Sequence, residues 1–133
     1  VGFPGETEND FYDTLEVMKT AEFNNSYMFK YSSRPGTKAS EYSNQISEEV
    51  KQQRLEKVIE LQKYLTLLVN KKKIGKIVNV LVEKESKKSI NHWAGRTDDN
   101  SWLIFDKTNE AIKDIVNIRV NDAQGVSLFG KRI

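Results

Sequence analysis

Cysteine is absent from the 133 residues of this chain. The chain therefore has no disulfide, no thiolate nucleophile and no thiolate ligand for a metal ion or an iron-sulfur cluster. Histidine occurs once, at His92, with no partner at the spacing of metal ligands. We therefore expect His92 to be a surface or packed side chain, and we predict no metal site.

Long apolar stretches are also missing, because no run of about 18 apolar residues occurs, and the sequence predicts no membrane-spanning segment. The first residues contain acids and glycines and do not resemble a signal peptide, so we expect a soluble, cytoplasmic protein. Charged residues make up 30% of the chain, and the net charge is only +2. A balance this mild permits nucleic-acid binding without requiring it, so the clustering of cations is more informative than their sum.

The first third of the chain has the pattern of a βαβ unit. Thr7 and Asp10 have the spacing of a capping box, and the apolar residues that follow predict a helix from about Glu8 to Thr20. Alternating aromatics predict a strand over Ser26–Tyr31, and the proline and glycine of Arg34–Thr37 predict a loop. The neighbouring strands that such a unit needs are not in the chain.

A long helix is predicted next. Ser47 can cap it, and acids in its first turn and the lysines Lys71, Lys72 and Lys73 at its end both suit the helix dipole. Its apolar stripe is short and its polar face carries both signs of charge, which favours a connecting helix over a coiled coil or a membrane-surface helix. The stripe consists of Leu55, Val58, Leu61, Leu65 and Leu68.

From Ile74 onward the apolar residues alternate, which indicates strands. Turn residues separate five short strands, and Gly95 within the second of them predicts a bulge or a barrel corner. Five strands with little helix between them favour a small antiparallel barrel of the OB type over a sandwich. The alternating segments are centred on Val78–Val82, Gly95, Trp102–Phe105, Val116–Val120 and Val126–Phe129.

Two sets of residues are candidates for binding. The segment Gly2–Glu6 (Gly2, Phe3, Pro4, Gly5 and Glu6) joins a strand to a helix, where backbone N–H groups can meet a ligand, although an ordinary turn has the same pattern. The second set combines cations with aromatics, as single-stranded RNA-binding proteins do, although a solvated lysine-rich surface is its alternative. Its members are Lys71, Lys72, Lys73, Lys76, Lys87, Lys88, His92, Trp93, Arg96, Trp102, Lys131 and Arg132.

Five segments together resemble, in order and spacing, the C-terminal part of the radical-SAM methylthiotransferases. The branch with the best agreement adds a methylthio group to N6-isopentenyladenosine next to the tRNA anticodon. The segments are VGFPGETENDF, YMFKYSSRPGTKAS, SEEVKQQRLEKVIELQ, KIGKIVNVLVE and GRTDDNSWLIFD.

This resemblance implies an α+β chain of three parts. Residues 1–45 would be the truncated βαβ end of an α/β radical-SAM barrel, residues 46–72 a connecting helix, and residues 73–133 a TRAM domain, an antiparallel five-stranded OB-like barrel that binds RNA. Residues Gly2–Glu6 would lie near S-adenosylmethionine, with Phe29, Lys30 and Tyr31 beside its adenine. The implied partner is the anticodon stem-loop of tRNA, contacted by Arg34 and by the basic and aromatic residues Lys71, Lys72, Lys73, Lys76, Trp93, Arg96, Trp102, Lys131 and Arg132.

The cofactors of this family are S-adenosylmethionine and two four-iron four-sulfur clusters, held by cysteines that this chain lacks. We therefore expect the chain to be inactive alone and to hold neither cluster. We also expect a monomer, with the truncated barrel edge as the place where a second copy could associate. Two alternatives remain open: a free-standing RNA-binding module, and the sister branch that modifies a ribosomal protein. The basic Arg34 favours tRNA over that sister branch.

Overall fold

The computed structural model describes residues 1–133, which form two compact units, 1–65 and 66–133. The first unit contains helix α1 (Glu8–Ala21), a short 3₁₀ helix (Lys38–Glu41) and most of helix α2 (Glu48–Lys71). The second contains the end of α2 and a closed barrel of five strands. Two helices and a closed five-stranded barrel confirm the expected combination of helix and OB-like barrel. The strands are β1 (Ile77–Ser86), β2 (Ser89–Thr97), β3 (Trp102–Asp106), β4 (Ile115–Gln124) and β5 (Ser127–Arg132).

Helix α1 begins at the predicted capping box. The Asp10 amide donates to the Thr7 hydroxyl at 3.2 Å, and the Thr7 amide donates to the Asp10 carboxylate at 2.8 Å. The Asp10 pKa is lowered, chiefly by its hydrogen bonds from the Thr7 hydroxyl and amide. The helix ends where Glu22 takes a left-handed conformation (φ 47°), and its buried Phe11 and Met18 face the core of the first unit. The predicted helix is therefore confirmed.

No strand forms over Ser26–Tyr31, so that prediction was wrong. The segment instead makes a single parallel pairing with the start of the chain. The Val1 amino group donates to the Phe29 carbonyl at 2.9 Å, and the Tyr31 amide donates to the Val1 carbonyl at 2.8 Å. These two bonds flank Lys30 as in a parallel ladder, but one paired residue does not make a strand.

Helix α2 supplies the other side of the first unit's core. The Ser47 hydroxyl accepts from the Val50 amide at 3.3 Å at its start. Val58 and Leu65 of the predicted stripe are buried against Phe11 and Met18, whereas Leu68, beyond the boundary of the unit, is exposed. None of the helices combines the length and the apolar character that a membrane-spanning segment needs.

The barrel closes in the order β1-β2-β3-β5-β4, with β4 returning to pair with β1. Four of the pairings are antiparallel, but β3 and β5 are parallel, which corrects the expectation of a wholly antiparallel barrel. The reason is topological, because β4 crosses to the far side of β1 before β5 returns beside β3. The alternating residues of all strands but β2 meet inside as one core: Val80, Val82, Leu103, Phe105, Val116, Ile118, Val120, Ala123 and Leu128.

The barrel has three register shifts, and two of them begin at a residue that faces a glycine. Gly95 pairs with Val82, and the register then skips Glu83; Gly130 pairs with Val120, and the register then skips Asn121. A β-carbon on Gly95 would collide with the backbone carbonyl of Leu81. Gly95 therefore lies opposite a bulge in β1, which agrees with the predicted bulge, and its position requires close approach of two backbones.

Candidate nucleic-acid interface

The segment Gly2–Glu6 is a tight turn stabilised by the side chain of its last residue. Gly2 and Gly5 have positive φ (76° and 86°), a conformation that favours glycine. The Glu6 amide donates to the Phe3 carbonyl at 2.9 Å, and the Glu6 carboxylate accepts from the Gly2 amide at 2.9 and 3.0 Å. Pro4 is buried in this turn. The segment is thus preformed by local bonds.

Arg54 of α2 fixes this turn to the helix. Its guanidinium is buried and donates from Nη1 to the Glu6 carbonyl at 3.0 Å and the Glu6 carboxylate at 2.7 Å, and from Nη2 to Glu8 at 3.1 Å. Sequence reasoning missed Arg54, and no local pattern marks it, because its partners lie 46 and 48 residues away. Glu6 is consequently occupied by internal contacts.

The remaining residues predicted to lie near S-adenosylmethionine differ in their exposure and in their contacts. The ring of Phe3 contacts that of Tyr31 edge to face, with 5.3 Å between centroids, and the Tyr31 hydroxyl is buried without a hydrogen-bond partner. Phe29 is 74% exposed, whereas Lys30 pairs with Glu48 at 3.2 Å. The unpaired hydroxyl of Tyr31 and the free ring of Phe29 suit a ligand with polar and aromatic parts, but Glu6 and Lys30 already have partners.

In the second unit, Lys73 is largely buried and serves the structure of the barrel. Its ammonium contacts Asp99 at 2.5 Å and Ser101 at 2.8 Å, and its side chain is only 12% exposed. Burial acts to raise the Asp99 pKa, but hydrogen bonds from Lys73, Thr97 and Ser101 outweigh it and lower the pKa to about 2. Lys73 therefore joins the chain after α2 to the β2–β3 turn.

Arg132 likewise has a structural partner. Its guanidinium contacts Glu110 and Asn109, both at 2.6 Å, and the Glu110 side chain is fully buried. Burial acts to raise the Glu110 pKa, but hydrogen bonds from the hydroxyl and amide of Thr108, together with Arg132, lower it to about 2. This cluster holds the loop between β3 and β4 against the end of β5.

The two tryptophans already contact cations of the chain. Trp102 has the ammonium of Lys84 at 4.4 Å and the guanidinium of Arg96 at 4.5 Å from its ring. Arg96 also donates to Asn100 at 2.5 Å and lies 3.5 Å from Glu83. These cations would compete with a nucleic-acid base for the faces of the indole.

Trp93 is held in a similar way. Lys107 lies 4.2 Å from its ring and pairs with Glu85, and the indole N–H is buried without a partner. Trp93 also packs against the barrel core. Neither indole is thus a fully open stacking platform.

Several cations of the predicted set do lie in solvent. Lys71, Lys72, Lys76 and Lys131 are exposed, and so are Lys87 and Lys88 in the β1–β2 turn. Arg34 is exposed too, but it lies in the first unit. Sequence reasoning missed Arg119, although the alternation of Val116, Ile118 and Val120 already placed it on the outward face of β4.

The single histidine, His92, lies on β2 with Nε2 3.0 Å from Asp106 on β3. No group of three or more His, Cys, Asp or Glu side chains in the chain could hold a metal ion. The structure thus places His92 at the surface in a pair of side chains on neighbouring strands.

The class of the second unit follows from its barrel and its sequence together: residues 71–133 match the TRAM domain family. Over nearly its whole length the chain is similar to enzymes called tRNA-2-methylthio-N(6)-dimethylallyladenosine synthase. It is 45% identical to the one from Fusobacterium nucleatum over 98% of the chain, and 42% identical to those from Christiangramia forsetii and Acetivibrio thermocellus over 99% and 98%.

The chain spans only 30%, 28% and 27% of the lengths of these three relatives. The matched portion is the C-terminal part of the synthases. The resemblance predicted from the five sequence segments is therefore confirmed: this chain corresponds in sequence to the C-terminal part of the tRNA methylthiotransferases and includes their TRAM domain.

Proposed function

We propose that this chain is the C-terminal part of a cytoplasmic tRNA methylthiotransferase. The whole enzyme would add a methylthio group to N6-isopentenyladenosine next to the anticodon. The single observation that carries the proposal is similarity to synthases of that name over 98% of the chain, including both the N-terminal segments and the TRAM domain. A free-standing RNA-binding module would match over the barrel alone.

In this proposal, residues 1–45 are the end of the radical-SAM barrel. The parallel pairing of Val1 with Lys30 supports it, because two bonds of a parallel ladder join the two positions where strands of a βαβ unit would lie. The Gly2–Gly5 backbone, the Phe29 ring and the Tyr31 hydroxyl would hold S-adenosylmethionine, which when bound would supply the radical chemistry. Arg54 and Glu6 would keep this turn in shape, and residues outside this chain would hold both clusters.

The barrel would bind tRNA chiefly through its sugar-phosphate backbone. Several of its cations are exposed, whereas both indoles already contact Lys84, Arg96 or Lys107. Backbone contacts position a nucleic acid without reading its sequence, and their strength falls steeply with salt. The barrel would therefore present tRNA to the catalytic domain, which selects the base.

We expect residues 1–133 to bind tRNA and its anticodon stem-loop weakly, with a dissociation constant of about 1 μM or higher at physiological salt. Fluorescence anisotropy of labelled RNA, titrated at several salt concentrations, measures both the affinity and its salt slope. Log affinity should fall linearly with log salt, with a slope of about two or more units. A chain that stays unbound at low salt, or binds with no salt dependence, would contradict the proposed role of the barrel.

A further inference from the structure

The cations of the barrel divide into those with acidic partners and those without. Lys73 pairs with Asp99, Lys107 with Glu85, and Arg132 with Glu110. Such pairs are largely neutralised and already bonded, so they add little to the attraction of a further anion. The cations that form no ion pair are therefore the better guide to a phosphate-binding surface.

Two unpaired cations lie side by side on adjacent strands of the barrel. Arg119 of β4 pairs in register with Lys131 of β5 on one side and with Ile77 of β1 on the other. Lys76 directly precedes Ile77, and its carbonyl accepts from the Val120 amide at 2.9 Å. Since β4 and β5 are neighbours in the barrel, Arg119 and Lys131 form a row across it, here called the cationic row. Lys76 is not part of this row, because it lies opposite the inward-facing Val120.

Both side chains of the cationic row are on the outside of the barrel. Arg119 is exposed between the buried Ile118 and Val120, and Lys131 is exposed as well. The nearby Asp122 is already used locally, because its carboxylate accepts from the Ala123 amide at 2.8 Å and from Gln124 at 2.7 Å. The row therefore presents uncompensated positive charge to solvent.

Placing Arg119 directly opposite Lys131 works against stability. Residues opposite each other in an antiparallel pair have β-carbons about 5 Å apart, and like charges at that distance repel. The same spacing lets two cations reach one phosphate group, which would turn the repulsion into binding energy. Exposed amides continue the surface beside the row, since Asn117 of β4 pairs with Asn79 of β1.

We propose that the cationic row is a phosphate-binding site for the RNA backbone, with Arg119 and Lys131 clamping one phosphodiester group. The inference rests on the proposed function, because it names the part of the barrel that would contact tRNA. It also moves the interface away from Lys73, Arg96 and Arg132, which have acidic partners.

The test compares two double variants that remove the same charge. Arg119→Gln with Lys131→Gln should lower the salt slope of tRNA binding by about 1 to 2 units and weaken binding about tenfold at low salt. Lys57→Gln with Lys63→Gln removes two exposed lysines from the part of α2 in the first unit, outside the predicted set, and should leave the slope unchanged. Arg119→Lys, which keeps the charge, should retain most of the parent's slope.

Unfolding by heat, followed by tryptophan fluorescence, serves as the second readout. The Arg119/Lys131 variant should be at least as stable as the parent, because it loses a repulsion. If that variant binds like the parent, or if the Lys57/Lys63 variant loses as much slope, the cationic row is not the site. If the parent chain itself binds no tRNA, the proposed function of the barrel fails, and the row with it.

Discussion

Gly95→Ala should destabilise the barrel by about 3 kcal/mol or more, the largest effect that we expect of any single methyl group in this chain. The added β-carbon would collide with the Leu81 carbonyl and the Val80 side chain. A side chain could turn away, but the carbonyl belongs to the neighbouring strand. Relief therefore requires β1 and β2 to separate at the bulge, where Val82 faces Gly95.

Urea unfolding measures this loss specifically, because both tryptophans, Trp93 and Trp102, lie in the barrel. Gly75→Ala is the matched control: Gly75 has φ 85° but open space around it, so the variant isolates the cost of backbone strain. That cost should be about 1 kcal/mol. If both variants lose the same free energy of unfolding, the close approach of β1 and β2 is not what restricts residue 95 to glycine.

Arg54→Met should destabilise the first unit by about 3 kcal/mol, because it leaves the Glu6 carboxylate without its cation in a largely buried site. The Glu6 side chain is only 14% exposed, and the Arg54 side chain only 7%. Losing the guanidinium removes contacts to both Glu6 and Glu8 and should loosen the turn from Gly2 to Glu6. Hydrogen exchange of the Gly2, Glu6 and Phe11 amides measures this directly.

Lys57→Met provides the control for Arg54, because Lys57 is an exposed cation of the same helix and also lies near the Phe11 ring, at 5.8 Å. We expect its exchange rates to match those of the parent. The exchange rates of Arg54→Lys should lie between those of Arg54→Met and those of the parent, since lysine keeps the charge but loses the forked geometry of the guanidinium. Parent-like protection in Arg54→Met would mean that the turn is held by its own backbone bonds.

The elements that local chemistry specifies were predicted correctly. The capping box of Thr7 and Asp10 marks the start of α1, and the alternation around Val80, Ile118 and Leu103 identifies the inner faces of the strands. Alternation fixes which face of a strand is buried but not which strand lies beside it. The parallel pairing of β3 with β5 could therefore not be predicted from periodicity.

The candidate site was harder to predict for a related reason. The basic and aromatic set predicted from the sequence includes Lys73, Arg132 and Arg96 as well as Lys76 and Lys131. Only tertiary contacts distinguish its paired cations from its unpaired ones. The partners of Lys73 and Arg132 lie 26 to 28 and 22 to 24 residues away along the chain. Composition thus indicated a basic cluster, while the structure shows that Lys73, Arg96 and Arg132 already have acidic partners.

The proposed function is tested by the modification of tRNA by the full-length protein that contains this chain. Its coding sequence should be expressed in cells that lack the methylthio modification, with an empty vector as the control and nucleosides measured by mass spectrometry. If the proposed function is right, the full-length protein has cluster-binding cysteines spaced as CxxxCxxC upstream of Val1, and 2-methylthio-N6-isopentenyladenosine appears in the tRNA. A full-length protein that lacks that motif, or that is folded with its clusters in place and leaves N6-isopentenyladenosine unmodified, would contradict it.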